Sequence, residues 1–239
     1  MKEVIQLEER GQIKEIVLNL GADVCGIANI KNFDTAPKGF QPAEIFADCK
    51  SVVVFGLALP KGLTKVDSKL IYAHYNSFIC SQADSIALNA AKQLEKSFCE
   101  YAVPLPSDGP YDYWDPEKME GRGLISMKHA AVATGLGTLG KSTLLLNSKY
   151  GNLLTLGAVL TDLDLPSDPP AENICIQDCS LCLRNCPVQA LDGESAIQSK
   201  CRINTYGTNA RGFSTVNCNK CRTICPMRFG KPTSQNSIN

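Results

Sequence analysis

Apolar residues near the start of the chain recur at helical spacing: Ile13, Ile16, Val17 and Leu20 stand at i, i+3, i+4 and i+7, and Gly21 follows as a stop. The stretch VCGIANI, beginning at Val24, reads as a short strand. From Ser51 to Leu59 the run SVVVFGLAL is apolar and rich in β-branched residues, the pattern of a buried strand. A second helix is predicted over 82–101, with Ile86, Ala90, Leu94 and Phe98 on one face, and a third over 124–134. Residues 152–165, NLLTLGAVLTDLDL, predict one long strand or two short ones around Gly157. The segment LPSDPPAEN, 165–173, then breaks the pattern as a proline-rich linker. The result is an α+β chain of two domains. Residues 1–168 form an α/β domain, and 169–239 form a smaller one dominated by cysteine. No repeat of solenoid length is present, although the cysteine region contains a degenerate duplication.

The chain has 12 cysteines, and their placement decides what they mean. Cys25, Cys49, Cys80 and Cys99 are scattered singly and read as small buried hydrophobes. The others fall between Cys175 and Cys225. The N-terminus, MKEVIQLEERGQIKE, is acidic and helical where a secretory signal is basic and then apolar. No apolar run approaches the roughly 18 residues that span a bilayer. The expectation is therefore a cytoplasmic protein with no membrane partner, in which clustered cysteines are metal ligands rather than disulfides.

The first group is Cys175-x3-Cys179-x2-Cys182-x3-Cys186-Pro187; the second is Cys201, then Cys218-x2-Cys221-x3-Cys225-Pro226. Both end in the C-x2-C-x3-C-P run of bacterial two-cluster ferredoxins, where the last cysteine of each run ligates the other cluster. Two 4Fe–4S clusters follow. Cys175, Cys179, Cys182 and Cys225 would hold the first, and Cys186, Cys201, Cys218 and Cys221 the second. The alternative is a pair of zinc sites, but four-cysteine zinc sites use two C-x2-C pairs without the x3-C-P extension. Two departures bear on the pairing: the first spacing is x3, and Cys201 lies 17 positions before Cys218.

Residues 135–142, GLGTLGKS, match the P-loop pattern through Gly135, Gly140, Lys141 and Ser142, and G-x-G-x-x-G through Gly135, Gly137 and Gly140. Both motifs need a strand before and a helix after, so that phosphate meets a helix N-terminus. Here the preceding LISMKHAAVAT is helical and the following chain soon turns at Asn147, Tyr150 and Gly151. Nucleotide binding is not expected; a glycine-rich loop approaching another large cofactor is. His74 and His129 read as structural. The acidic, aromatic stretch SDGPYDYWDPEKMEGRG, from Ser107, is an exposed loop of the kind that serves as a lid or binding loop. Lys plus Arg and Asp plus Glu are each 24, and this neutral balance argues against tRNA or other nucleic acid as a partner.

In order along the chain, GADVCGIANI, KSVVVFGLALP, GLGTLGKSTLLLNSKYGNLLTLGAVLTDLDL and the two cysteine runs resemble the epoxyqueuosine reductase family and its ferredoxin-tailed relatives. The resemblance implies a nitroreductase-like domain that binds cobalamin, with a two-cluster ferredoxin-like domain behind it. Electrons from a donor protein would pass through the clusters to the corrinoid cobalt, which reduces the substrate, in outline as in reductive dehalogenases. It further implies that Gly135, Gly137, Gly140, Lys141, Ser142 and Thr143 border the corrinoid, and that Asp108 is the catalytic proton donor. Asp108 matches the family's D-x-x-P context loosely, as Asp108-Gly109-Pro110. The sequence stops shortly after Cys225 and reads as a short member without the C-terminal extension. Its substrate is then a small molecule or a corrinoid protein. The alternatives are a ferredoxin-type carrier without its own catalytic cofactor and a reductive activator of a corrinoid protein.

Overall fold

A computed structural model of the chain describes residues 2–232. Helix α1 (Lys2–Asn19) buries Ile13 and Val17 completely, and Gly21 follows it at φ +109, a conformation that glycine enters without a Cβ clash. After it come β1 (Val24–Asn29), the single turn α2 (Pro42–Ile45), β2 (Ser51–Ala58), the long α3 (Lys69–Ser97) and β3 (Ala102–Leu105). The hairpin of β4 (Tyr113–Asp115) and β5 (Glu120–Arg122) precedes α4 (Met127–Ala133). Another small hairpin, β6 (Thr138–Leu139) with β7 (Leu145–Leu146), leads into β8 (Leu154–Thr161). The cysteine region holds only short elements: α5 (Leu181–Arg184), α6 (Gln198–Thr205), β9 (Tyr206–Thr208), β10 (Ser214–Val216) and α7 (Lys220–Thr223).

The central sheet has the order β1-β2-β8-β3, with every neighbour antiparallel. Its two middle strands are the two apolar runs of the sequence. Val53, Phe55, Leu57 and Val159 face a core completed by α1 and α3. Val52, Val54, Leu156 and Leu160 face a second core that includes Ala130 and Ala131 of α4. Burial of both faces explains the unbroken apolar run, since alternation is visible only where one face meets water. Residues 152–165 supply one strand, which passes through Gly157 without a break.

Helix α3 begins well before position 82. Ser68 caps it by accepting a hydrogen bond from Ile71 N at 3.3 Å. Its first turns bury Tyr72 and Ala73 yet leave Leu70, Ile71, Tyr75 and Phe78 exposed, so no clean amphipathic stripe marks them in the sequence.

The proline-rich stretch after β8 is strapped to the edge of β1. Asp168 accepts from Ile27 N at 2.9 Å while its own N–H donates to Ile27 O at 2.8 Å. The same carboxylate pairs with Lys14 at 2.7 Å and Arg10 at 3.5 Å. Ser51 Oγ, inside the sheet, accepts from Leu165 N at 2.9 Å. Among the described residues no helix is long and apolar enough to cross a membrane.

Candidate active site

The thiols of Cys175, Cys179, Cys182 and Cys225 line one hollow, closed on its other side by Gly140, Lys141, Ser142 and Leu146. Burial pushes the Cys225 thiol up, and its neighbours Cys175, Cys182 and Cys179 push it further; Cys182, buried beside Cys175 and Cys179, is raised in the same way. The last cysteine of the second run thus stands with three cysteines of the first. Cys201, Cys218 and Cys221 form a second neighbourhood. Burial raises Cys221 to about 11, Arg222 opposes the shift, and Cys201 and Cys218 add to it. Cys186, two residues beyond the end of α5, has its Sγ accepting from Ala190 N at 3.3 Å; α5 itself packs on α7, which carries Cys221. Among the described residues no three His, Cys, Asp or Glu side chains converge on a point suited to one metal ion. Thiolates of a four-iron cubane each take a different iron, so they ring a hollow rather than meet at a point.

The glycine-rich segment supports the first hollow from the side. It follows α4 and runs into the β6–β7 hairpin, so it presents no helix N-terminus to a phosphate. A Cβ on Gly135 would collide with the Pro169 carbonyl, and one on Gly137 with that of Leu146. A Cβ on Gly140 would lie 2.8 Å from Leu146 Cδ1 and 3.7 Å from Cys175 Sγ. Lys141 Nζ donates to the carbonyls of Gln177 and, at 2.9 Å, Cys179, fixing the loop that presents the first cysteines. Ser142 is buried. The Thr143 carbonyl accepts from Lys128 Nζ at 2.7 Å.

A cavity of about 360 Å³ lies between the two cysteine neighbourhoods' module and the sheet domain. Leu105 to Asp108 and Tyr111 form one wall, Leu124 to Lys128 with Leu144 and Leu145 another, and Asn152 with Leu154 to Leu156 the floor. Arg202, Tyr206 and Arg222 reach in from the cysteine region. Gly135, Gly137 and Gly140 do not line it; Leu144 and Leu145, just beyond them, do. Burial holds the Lys128 ammonium below its ordinary pKa, opposed by Cys221, the residue before the lining Arg222. Two buried polar atoms among the lining residues have no hydrogen-bond partner: Asn152 Oδ1 and Arg222 Nη1. An unpaired buried polar group costs about 1–3 kcal/mol, so such atoms mark where a partner is owed.

The acidic loop borders the cavity. Its start is anchored by Ser107 Oγ donating to Leu156 O at 2.6 Å and Ser107 N donating to Asp84 at 2.8 Å. Asp108 follows at the mouth, where it accepts a long 3.4 Å hydrogen bond from Tyr111 Oη. Asp108, Tyr111, Arg202 and Tyr206 share one corner of the cavity. Sequence reasoning missed Lys128, Asn152, Arg202, Tyr206 and Arg222, each a single residue that no motif singles out. Of the four scattered cysteines only Cys49 is fully buried and Cys25, Cys80 and Cys99 are half-buried; desolvation raises Cys25 to about 12, Cys49 and Cys80 to about 11, and Cys99 upward.

The fold, helices packed on an antiparallel sheet with a cysteine-rich segment after it, is shared with solved epoxyqueuosine reductases and reductive dehalogenases. An epoxyqueuosine reductase solved with a tRNA-Tyr epoxyqueuosine-modified stem loop superposes at a TM-score of 0.66 over 97% of this chain and 68% of that one, at 18% identity. A reductive dehalogenase whose structure addresses B12-dependent dehalogenation superposes at 0.69 over 93% of this chain and 32% of that one, at 21% identity. No family model matches the sequence. By sequence the chain is a homologue of epoxyqueuosine reductases, at 24–34% identity. The Lactococcus garvieae enzyme is 27% identical over 211 residues, which is 84% of this chain and 57% of that protein. The chain therefore spans little more than half the length of this relative.

The neutral net charge argues against tRNA, and that expectation is overturned: a protein of this fold is solved with a tRNA stem loop bound. Whole-chain balance conceals a local excess. From Ser195 to Lys231 there are Lys200, Arg202, Arg211, Lys220, Arg222, Arg228 and Lys231, and no Asp or Glu at all. A polyanion responds to the field it meets, within about 8–10 Å at physiological salt, and not to the sum over the molecule.

Proposed function

We propose that this chain is an iron–sulfur oxidoreductase in which two 4Fe–4S clusters deliver electrons to a corrinoid held in the cavity. The observation that carries the reading is the cavity itself, bordered on one side by Arg202 and Arg222, the residues next to Cys201 and Cys221, and on another by Asp108 and Tyr111. The donor set suits clusters, with four thiols around one hollow and Cys201, Cys218 and Cys221 grouped in a second neighbourhood. The cavity fits a corrinoid in its chemistry. Apolar Leu105, Leu144, Leu145 and Leu156 suit a flat macrocycle, and the unpartnered Arg222 donor and Asn152 acceptor suit primary amides, which present both functions. When bound, the corrinoid supplies a low-potential metal centre for reductive bond cleavage and the clusters supply its electrons.

The chain's own residues do the rest. Asp108 stands at the mouth of the cavity as the proton-transfer group, with Tyr111 Oη donating to it at 3.4 Å. Lys128 places a half-buried cation in the cavity wall, near Cys221, where it would offset negative charge on that side. The cations of 195–231 favour a substrate group carried on RNA, the chemistry of the stem loop bound by the relative. A carrier without its own cofactor would have no use for a lined cavity with unpartnered polar atoms.

The test is anaerobic purification followed by iron, corrinoid and flavin analysis. About eight irons per chain and a retained or reconstitutable corrinoid are expected. Stoichiometric zinc with little iron, or a flavin in the cavity, overturns the reading.

A further inference from the structure

The β4–β5 hairpin has few ties to the sheet domain. It is held instead by one helix of the cysteine module. Arg202 of α6 donates from Nη2 to Tyr111 Oη at 3.0 Å, and its guanidinium carbon lies 5.1 Å from the Tyr111 ring centroid and 5.2 Å from that of Trp114. Those two rings stack on each other at 5.7 Å and 16°. Tyr206 closes the cage at 5.9 Å. Gln198, one turn earlier on α6, pairs with the backbone of Gly121 in both directions, at 3.1 and 3.2 Å, and accepts from Arg202 Nε at 3.3 Å. Helix α6 also carries Cys201, and the hairpin carries Asp108 and Tyr111 at its root.

We infer that Arg202 is a positioning residue: through the stacked Tyr111–Trp114 pair it docks the acidic hairpin onto the cluster-bearing helix and so holds Asp108 at the cavity mouth. The inference rests on the proposed reductase reading for the role of Asp108, while the latch itself rests on the distances alone. Arginine suits this task because its planar fork can stack on aromatic faces while donating in the ring plane, which a lysine ammonium cannot do. The chain Arg202–Tyr111–Asp108 then ties the carboxylate to the module through two hydrogen bonds.

Trp114 is the only tryptophan of the chain, so its emission reports hairpin docking without a label. The experiment uses the full chain with both clusters assembled, and measures acrylamide quenching of Trp114 and hydrogen exchange of residues 107–122 in wild type and variants. In Arg202→Gln, quenching is expected to rise about twofold and amide exchange about tenfold. Arg202→Lys should fail to rescue, since it restores charge without the planar stack. Gln198→Ala, which leaves the cage but releases Gly121, should move both readouts in the same direction by less. Lys200→Gln, exposed on the same helix, should move neither. Iron content in the same samples separates the two levels. A wild type without clusters refutes the reductase reading. Variants with intact clusters, and Trp114 as protected as in wild type, refute the latch. Full rescue by lysine also refutes it.

Discussion

Gly151 marks where the cysteine module docks on the sheet domain. It sits at φ +60 in the turn between β7 and β8, and an added Cβ would fall within the van der Waals radii of the Arg228 carbonyl carbon and oxygen. Replacing it with alanine has two costs. A side chain in the left-handed region costs about 1–2 kcal/mol. The backbone at 227–228 must also retreat, which strains Asn152 N–H to Arg228 O at 3.3 Å and Lys231 N–H to Ser148 O at 2.8 Å. Each such bond contributes about 1 kcal/mol, so Gly151→Ala should lose on the order of 3 kcal/mol of docking. Cys225, close before the displaced segment, then leaves its hollow, and iron should fall from about eight to about four per chain as the first cluster is lost. The assay is iron content together with the urea midpoint under anaerobic conditions. Gly11→Ala is the control: nothing lies within 4 Å of its added Cβ, and removing a helix-interior glycine should stabilise by about 0.5–1 kcal/mol. Gly151→Ala with wild-type iron and midpoint would refute the docking.

Crossed ligation predicts that Cys225→Ala removes the cluster of Cys175, Cys179 and Cys182, and that Cys186→Ala removes that of Cys201, Cys218 and Cys221; resolved spectra of the two clusters check this, and a variant that loses the cluster of its own run contradicts it. Lys141→Ala should halve the iron by freeing the Gln177 and Cys179 carbonyls, and ATP at micromolar levels should bind neither protein; ATP affinity lost in the variant would show the lysine to be a phosphate ligand. Burial raises Cys25 to about 12 and Cys49 to about 11 from an ordinary 9.0, so above that value the unfolded chain releases protons that the folded chain keeps. Stability should therefore be unaffected by these thiols below about pH 8 and fall as pH rises from 9 towards 12, with a shallower fall in a Cys25→Ala, Cys49→Ala variant; identical urea midpoint profiles would contradict it.

The sequence announces whatever is dense and local. Seven of the eight clustered cysteines stand at short spacings, and the structure groups Cys225 with Cys175, Cys179 and Cys182, as that pattern leads one to expect. Ser51 to Ala58 and Leu154 to Thr161 announce themselves as apolar runs because both faces of the sheet are covered. The order β1-β2-β8-β3 is invisible, since placing β8 between β2 and β3 depends on contacts between residues far apart in the chain, such as Ser51 with Thr161 and Ala102 with Thr161. Glycines 135, 137 and 140 suggest room for a ligand, but they answer a need for close packing within the chain, and periodicity cannot distinguish the two. Arg202, Arg222 and Lys128 gain their meaning only from the cavity that the fold closes around them. Net charge is the instructive failure: a sum of zero coexists with a C-terminal stretch, Ser195 to Lys231, free of acidic residues.

The central claim is that the cavity beside Cys221 takes a corrinoid. Cob(II)alamin added without oxygen to protein carrying both clusters should bind one to one, with a dissociation constant below about 10 μM, and shift the cobalt electron paramagnetic resonance spectrum from that of the free form. Leu144→Trp, which fills the cavity wall, should abolish the shift while leaving the iron content intact. A spectrum unchanged at tens of micromolar protein, or tight binding indifferent to that tryptophan, would contradict the account.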